Sequence, residues 1–412
     1  PRVVGGADLI GVDAHLALEA ERRGAERRLA QPFGVAEVDV DGIDRRLEAV
    51  VHDFAEQGLR VLGVAQIEGT GDSVDDPGKA HFEFVGLIGF LDPVRADVPE
   101  ALEEATGAGI AVMMITGDHP STARAIARAA GVDISGGVLL GADIAALPFP
   151  LLRERVRSAR LFARIAPEQK LLIVEALKAN GEVVAMTGDG VNDAPALEAA
   201  HIGIAMGRKG TDVAREAADL VLLDDSFVSI VGGVRLGRRI FTNLRRALTY
   251  ITAIHIPIAG LALAPVLMGL PPLLYPMHVV LLELAIDPIC SLVFEAEPSD
   301  AAAMKRPPRK SDEGLFGSAQ LALAATQGVG VLVGVFGIYL WALSIGPEAQ
   351  ARGAAFITLV MANLILALID AMSAEGRLFA AHRRIYWLIA ALIGALLLLV
   401  FLAPPMAAMF GV

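Results

Sequence analysis

The sequence divides into two halves of very different hydropathy. Residues 1–240 carry charged side chains every few positions, as soluble proteins do, whereas residues 247–412 contain several long apolar runs. The mean hydropathy of the whole chain, +0.56, is high for a soluble protein of this size. The chain is therefore expected to combine a water-soluble part with an all-α, multi-pass transmembrane domain.

Five apolar runs in the second half are each near the roughly 20 residues that a helix needs to cross a bilayer. They lie at about 247–269, 274–294, 320–343, 354–372 and 385–403. Basic residues are concentrated between the second and third runs and between the fourth and fifth, whereas the intervening loop has only Arg352. The positive-inside rule therefore predicts that the soluble half lies in the cytosol. The plasma membrane is the expected location. Aromatic residues near the run ends are expected to be interfacial anchors: Tyr275, Trp341, Tyr386 and Trp387.

The net charge and the cysteine content limit the partners and the compartment that this protein can have. The net charge of −12 argues against nucleic acid as the main partner. Cys290 is the one cysteine, so no disulfide can form within the chain, which fits a reducing compartment for the soluble half. The chain begins with Pro1 and no signal segment follows. We therefore expect a fragment of a longer protein.

In residues 84–225, short apolar strands alternate with helices. This alternation predicts βαβ units and a doubly wound parallel sheet, in which ligands bind beyond the carboxyl ends of the strands. Residues 1–88 are a weaker, mixed segment. Its predicted elements are a helical run near 19–29, a helix at 44–57, a strand at 58–66 and a loop at 69–79.

The most informative motif is TGDGVNDAPAL at 187–197, directly after a predicted strand. Asp189 lies at the strand end, and Asn192 and Asp193 follow at the start of a predicted helix. Their oxygens are the hard ligands that Mg²⁺ selects, and the flanking glycines let the backbone bend around a bound group. A turn with solvated acids is the alternative interpretation, which the length of the motif disfavours.

Two further motifs are, by themselves, weaker evidence for a phosphoryl-binding site. MITGD at 114–118 also ends a strand, so Thr116 and the amide of Gly117 could donate to a phosphoryl oxygen, with Asp118 opening the next loop. Lys170, in ARIAPEQK, lies in the first turn of a helix and could neutralise phosphate charge. An ordinary strand-to-helix turn and an ordinary surface lysine are the alternatives.

Two carboxylates interrupt the second apolar run. Glu283 and Asp287 are four residues apart, hence on one helix face, and a carboxylate at mid-bilayer costs about 2.5–3.5 kcal/mol. Pro288 cannot donate a backbone hydrogen bond, which frees carbonyl oxygens beside both acids and favours a cation site. A structural pair is the alternative. His255 and Asn363, in the first and fourth runs, are further candidate cation ligands or contacts between helices.

Together these motifs resemble the P-type cation-transporting ATPases, and in particular the calcium-pump-like type. The matching strings are LDPVR, MITGD, FARIAPEQK, VVAMTGDGVNDAPAL and GTDVAREAADLVLLDD. The resemblance implies an α/β haloacid-dehalogenase-like fold for a phosphorylation domain at 89–232. It also implies the C-terminal remnant of a nucleotide-binding domain at 1–88, and a stalk and transmembrane domain with about five spans at 233–412.

The resemblance also implies roles for the motif residues. Asp189 would bind Mg²⁺, supported by Asn192 and Asp193, while Thr116 and Gly117 would contact the phosphoryl group and Lys170 would offset its charge. ATP is the implied nucleotide. The residues implied near it and near the hinge are Arg60, Arg95, Asp118 and Arg164.

The family's nucleophile lies in a DKTGT motif, and neither that string nor the adenine-site string KGAPE occurs in this sequence. In the family the nucleophile precedes the nucleotide-binding domain, so it is expected before Pro1, together with the actuator and first membrane helices. Phosphoryl transfer needs an in-line nucleophile. The fragment alone is therefore predicted to lack ATPase turnover.

The resemblance places Glu283 and Asp287 on ligand positions of the family's sixth membrane helix. His255 stands where an asparagine is usual and Ile258 where the two-site pumps have glutamate, and Val360 lies near a position that is usually acidic. One calcium site is therefore expected, with manganese, another divalent ion or a monovalent ion left open. A membrane-anchored dehalogenase-type phosphatase and a non-catalytic remnant are the alternative functions.

Overall fold

The computed structural model describes residues 2–4, 45–67, 82–298, 300, 302–309, 314–372 and 378–412. The helical run predicted near 19–29 and the loop predicted at 69–79 lie outside these residues. Contacts within the chain define two compact units, Pro1–Val231 and Gly232–Val412.

The first unit alternates strands and helices. Its strands are β1 Arg2–Val4, β2 Arg60–Ile67, β3 Phe82–Leu91, β4 Met114–Ile115, β5 Val138–Leu140, β6 Leu161–Ala163, β7 Ala185–Gly188, β8 Ile202–Met206 and β9 Leu220–Leu222. Its helices are α1 Arg45–Glu56, α2 Val98–Gly107, α3 Pro120–Ala130, α4 Gly141–Ala146, α5 Phe149–Ser158, α6 Pro167–Ala179, α7 Ala194–Ala199 and α8 Asp212–Glu216. A 3₁₀ turn, Val191–Asp193, leads from β7 into α7.

The strands form two kinds of sheet. The prediction of parallel βαβ units is confirmed by two three-stranded parallel sheets, ordered β4-β6-β5 and β7-β8-β9. The prediction that β3 joins the parallel sheet is wrong. It lies between β1 and β2 in an antiparallel sheet, with Arg2 opposite Leu91 and Arg60 opposite Phe90.

The parallel sheets pack against helices most closely at β6, all three residues of which are buried. Phe162 and Leu161 in β6 and Ile173 in α6 are fully buried. They belong to apolar clusters that hold the strands of both parallel sheets against helices. The loops at the carboxyl ends of these strands therefore start from fixed positions.

The second unit is helical. Its helices are α9 Phe227–Leu267, which begins five residues before the unit, α10 Pro276–Pro288, α11 Phe294–Ala296, α12 Ser318–Ile345, α13 Glu348–Ala371, α14 Arg384–Leu402 and α15 Pro404–Phe410. Among the described residues, five helical segments are long and apolar enough to cross a membrane. They are Phe227–Leu267, Pro276–Ala296, Ser318–Ile345, Glu348–Ala371 and Ala381–Leu402.

Proline shapes the first two of these segments. Pro257 and Pro265 lie inside α9. Pro288 ends α10, and a π-helical segment, Ile289–Val293, follows it before α11. Each proline lacks the amide that would bond the carbonyl four residues earlier, so the helix geometry loosens at these points.

One of the predicted interfacial anchors is wrong. Tyr386 is only 4% exposed, and its hydroxyl donates to the Leu364 carbonyl at 2.9 Å. It fastens α14 to α13 inside the bundle. Trp341 and Trp387, in contrast, are on the outside of the unit.

Candidate functional site

The loop at 116–118, which carries the TGD motif, follows β4. Two hydrogen bonds join Thr116 and Asp118, and each residue donates one of them. The Thr116 hydroxyl donates to Asp118 Oδ2 at 3.0 Å, and the Asp118 amide donates to Thr116 Oγ1 at 3.1 Å. The backbone of this loop is tied to the end of β6, because the Ile165 amide donates to the Thr116 carbonyl at 3.1 Å. The loop therefore has one fixed arrangement, in which the Thr116 hydroxyl is held against the Asp118 carboxylate.

The helix that follows β6 brings Lys170 to the other strand-end motif. Lys170 Nζ lies 2.5 Å from Asp193 Oδ1, and both side chains are largely buried. The second oxygen, Asp193 Oδ2, accepts hydrogen bonds from the amides of Gly190 at 3.2 Å and Asp189 at 3.3 Å. The ammonium group is thus positioned at the carboxyl end of β7 by a carboxylate whose own orientation is fixed.

Gly188 leaves the room that this arrangement needs. A Cβ at position 188 would lie 2.5 Å from the Cβ of Asp193 and 2.8 Å from its Cγ. At Gly190 the nearest atom would be Asp193 Oδ2, at 3.6 Å. Only the first glycine of the motif is therefore required by packing against Asp193.

The donor set at this loop fits a hard cation. Asp189 and Asn192 are exposed, so their side-chain oxygens are accessible, whereas Asp193 is buried and already bonded to Lys170 and two amides. Carboxylate and amide oxygens beside a fixed ammonium suit Mg²⁺ with phosphate oxygens as its remaining ligands. The geometry fits Asp189 as a direct ligand and Asp193 as its support.

Gln169 secures the loop before Lys170 and is not among the site residues predicted from sequence. Its side chain accepts from the Ala166 amide at 2.9 Å and donates to the Gly141 carbonyl at 2.8 Å. The available signal was a glutamine at the third position of a helix that begins with Pro167, where such a side chain commonly caps the helix. Gln169 thus joins the helix carrying Lys170 to the end of β5.

The three arginines assigned to the nucleotide and the hinge are exposed and lie in different places. Arg60 begins β2 in the antiparallel sheet. The Arg164 amide donates to the Asp118 carbonyl at 3.1 Å, and its φ of +54° turns the chain sharply after β6. Arg95 Nη1 donates to the Asp225 carbonyl at 2.7 Å. The nucleotide roles of these arginines remain predictions.

Asp225 is a second residue that is not among those predicted from sequence. It is buried, and its carboxylate accepts from the amides of Arg208 and Lys209, each at 3.0 Å. The hydrogen bond from Arg208, together with that from Lys209, lowers the pKa of Asp225. With Arg95 bonded to its carbonyl, Asp225 ties the DPVR loop to the loop after β8.

In the membrane unit the structure brings His255 and Glu283 together. His255 Nε2 lies 3.9 Å from Glu283 Oε1, and each side chain is about half exposed. The other ring nitrogen, Nδ1, is 2.7 Å from the Ile251 carbonyl, which fixes the ring on the face of α9 towards α10. A basic and an acidic group therefore meet between the first two membrane helices.

Asp287 and Asn363 are placed differently. Asp287 is exposed, and the Ser291 hydroxyl donates to its carbonyl at 2.7 Å, at the start of the π-helical segment. Asn363 is buried, with both amide atoms lacking a hydrogen-bond partner in the described part of the chain. No cluster of three His, Cys, Asp or Glu side chains occurs within the described ranges. The four-ligand cation site remains a prediction.

Comparison with known proteins agrees with this division of the chain. Residues 10–201 match the model for haloacid dehalogenase-like hydrolases, and residues 271–412 match that for the C-terminus of cation-transporting ATPases. The matches define a class in which a dehalogenase-like unit is joined to the membrane helices of a transporter. The chain belongs to the cation-transporting ATPases and is a multi-pass membrane protein.

Individual relatives cover most of this chain. A probable cation-transporting ATPase F from Mycobacterium bovis is 41% identical over 309 residues, which is 71% of this chain and 34% of the relative. A calcium-transporting ATPase from Bacillus subtilis is 37% identical over 77% of this chain and 36% of its own length. Calcium-transporting ATPase 1 from Yarrowia lipolytica is 36% identical over 73% of this chain and 33% of its own length. The chain spans about a third of these relatives.

Proposed function

We propose that this chain supplies the phosphoryl-handling unit and part of the cation pathway of an ATP-driven pump. The observation that carries the proposal is the ion pair between Lys170 and Asp193, fixed by loop amides at the carboxyl end of a parallel strand. A buried pair in which every oxygen is bonded keeps an ammonium in place without neutralising the open side of the loop.

This geometry suits the stabilisation of a phosphoryl group. Lys170 would offset negative charge on the transferring group, and the Gly117 amide would donate to its oxygens. The Thr116 hydroxyl, which donates to Asp118 Oδ2 in this structure, would turn from that carboxylate to donate to the phosphoryl group. Phosphoryl transfer depends mainly on such positioning and charge stabilisation. Mg²⁺ held by Asp189 would neutralise further phosphate charge when ATP or an aspartyl phosphate is bound. Asp118 orients Thr116 through the pair of hydrogen bonds between them.

The membrane unit would carry the transported cation, with calcium as the first candidate. Glu283 and His255 face each other between two helices, and Asp287 follows on the same face of α10 as Glu283, directly before Pro288. Support for calcium comes from the relatives named calcium-transporting ATPases. In this arrangement Glu283 and Asp287 provide the negative charge, and the loosened helix after Pro288 provides carbonyl oxygens.

The test is metal-dependent ATP hydrolysis by the full-length protein in liposomes, with and without Glu283→Gln or Asp287→Asn. Loss of one ligand charge should raise the metal concentration for half-maximal activity by about ten-fold or more. Glu295→Gln is the matched control, since Glu295 is also exposed and lies two turns beyond Asp287. An unchanged metal response in both acidic-site variants would refute the cation assignment.

A further inference from the structure

An open cavity lies at the beginning of the fifth membrane helix. Its volume is about 440 Å³, and it is lined by Phe379, Ala380, Arg384 and Trp387. The rings of Phe379 and Trp387 are stacked, with centroids 5.0 Å apart and planes inclined by 18°. The Trp387 indole also donates to the Leu378 carbonyl at 3.1 Å. The cavity wall is therefore an ordered aromatic surface.

The cavity opens on the outer surface of the helical unit. Phe379 is 80% exposed, and the outer face of α14 continues with the exposed side chains of Leu388 and Leu392. A continuous apolar surface of this kind on a membrane helix contacts acyl chains. Aromatic rings at a helix end lie at the level of the lipid headgroups. The cavity is thus located where a glycerophospholipid would place its headgroup and the upper part of its chains.

Arg384 supplies the charge in this cavity. It is exposed, and it makes no ion pair with any residue that the structure describes. Its neighbour Arg383, in contrast, is buried against Glu297. A guanidinium group presents a planar set of donors that matches phosphate oxygens. A zwitterionic lipid brings its own ammonium to such a phosphate, whereas an anionic lipid leaves a net negative charge for Arg384.

We propose that this surface binds the headgroup of an anionic glycerophospholipid. Arg384 contacts the lipid phosphate, and the stack of Phe379 and Trp387 packs against the glycerol and the first methylene groups. The combination of an accessible cation, an aromatic wall and an adjoining acyl-facing surface fits a lipid better than a soluble anion, because a soluble anion would gain nothing from the last two features.

Tryptophan fluorescence provides a direct test, because the chain has two tryptophans, Trp341 and Trp387. In the Trp341→Phe variant of this 412-residue chain, Trp387 is the remaining tryptophan, so the fluorescence reports on the cavity alone. It is reconstituted in mixtures of phosphatidylcholine and phosphatidylglycerol in which one lipid carries brominated, quenching acyl chains. The quenching of Trp387 should show that phosphatidylglycerol binds beside it about five-fold more strongly than phosphatidylcholine. This is the effect expected for one basic residue and an anionic lipid. Adding Arg384→Gln should abolish the preference while leaving quenching by brominated phosphatidylcholine unchanged.

The matched control is Trp387→Phe. In this variant the exposed Trp341, near the C-terminal end of α12, should be quenched equally by the two lipids. Equal quenching of Trp387, or a preference that survives Arg384→Gln, would overturn the proposal. Weak quenching of Trp387 by both lipids would also overturn it, since protein would then cover the surface. Loss of the preference on addition of millimolar glycerol phosphate would show that the cavity recognises a free phosphate instead.

Discussion

The carboxylate of Glu297 accepts two hydrogen bonds from the guanidinium of Arg383, at 2.8 and 3.2 Å, across 86 residues of sequence. Both side chains are almost fully buried. The Glu297 carbonyl also accepts from the side-chain amide of Asn243 at 2.9 Å. One glutamate thus connects the first, second and fifth membrane segments at the same end of the unit.

Removing Arg383 should destabilise the membrane unit strongly. Arg383→Met removes both guanidinium hydrogen bonds from the buried Glu297 carboxylate and leaves His382, whose Nε2 lies 3.5 Å from Glu297 Oε2, as its neighbour. Breaking a buried ion pair in this way costs about 3–5 kcal/mol. Thermal unfolding in detergent, followed by the reactivity of the half-buried Cys290 thiol, should show a clearly lower midpoint.

Two comparisons make that result specific. Arg384→Met, at the exposed neighbouring position, should leave the midpoint nearly unchanged. The double variant Glu297→Gln with Arg383→Met should recover part of the loss, because no unpaired charge remains. If Arg383→Met and Arg384→Met unfold alike, the buried pair does not stabilise this end of the bundle.

The two glycines around Asp189 should respond differently to alanine. In Gly188→Ala the new methyl group would overlap the Asp193 side chain. Such overpacking costs about 1–3 kcal/mol, and the displaced carboxylate would release Lys170. Gly190→Ala should be tolerated, since its φ of −103° suits any residue and the space is open. Denaturant unfolding of the two variants, with ATP hydrolysis by the full-length protein, checks the contrast. Equal losses would contradict it.

Lys170→Met should lower the ATP hydrolysis rate of the full-length protein by about 10²–10³-fold, the usual effect of removing one preorganised charge or donor. Binding of ATP should change less, because the charge acts on the transferring group. Lys178→Met is a suitable control on the same helix, since Lys178 bonds the Ala199 carbonyl away from the strand ends. A similar decrease in both variants would indicate a structural effect of altering the helix.

The part of the site that could be predicted from sequence is the part that depends on short-range order. Motifs that directly follow apolar strands must lie at the carboxyl ends of those strands, so the loops bearing Thr116 and Asp189 could be placed. The sequence also predicts that Lys170 lies in the first turn of a helix. Its pairing with Asp193 could not be predicted, because it depends on how α6 is rotated against the loop after β7.

Other features depended on contacts that local patterns do not encode. An apolar strand such as β3 has the same composition whether its neighbours are parallel or antiparallel. Tyr386 lies near the end of an apolar run, as an interfacial residue does, yet it faces α13. The pairing of Glu297 with Arg383 joins loops separated by two membrane helices. Each case was decided by tertiary packing.

His119 should make the stability of the soluble unit depend on pH. Its Nδ1 accepts from the Ser121 amide at 3.3 Å and so caps α3. Burial lowers the pKa of His119 below its ordinary value of 6.5, as do the charges of Arg164 and His52. The folded state therefore binds this proton less readily than the unfolded chain does. Its stabilising contribution is complete above pH 6.5 and is lost as the pH falls towards the lower, folded-state pKa.

His119→Asn tests this dependence, because asparagine keeps an acceptor for the cap but does not titrate. Denaturant unfolding of the wild type and the variant would be compared from pH 8 to pH 5. The difference in unfolding free energy should be constant above pH 7 and should shift in favour of the variant below pH 6.5, since protonated Nδ1 can no longer accept from Ser121. A difference that stays constant down to pH 5 would show that His119 does not cap α3 through its neutral ring.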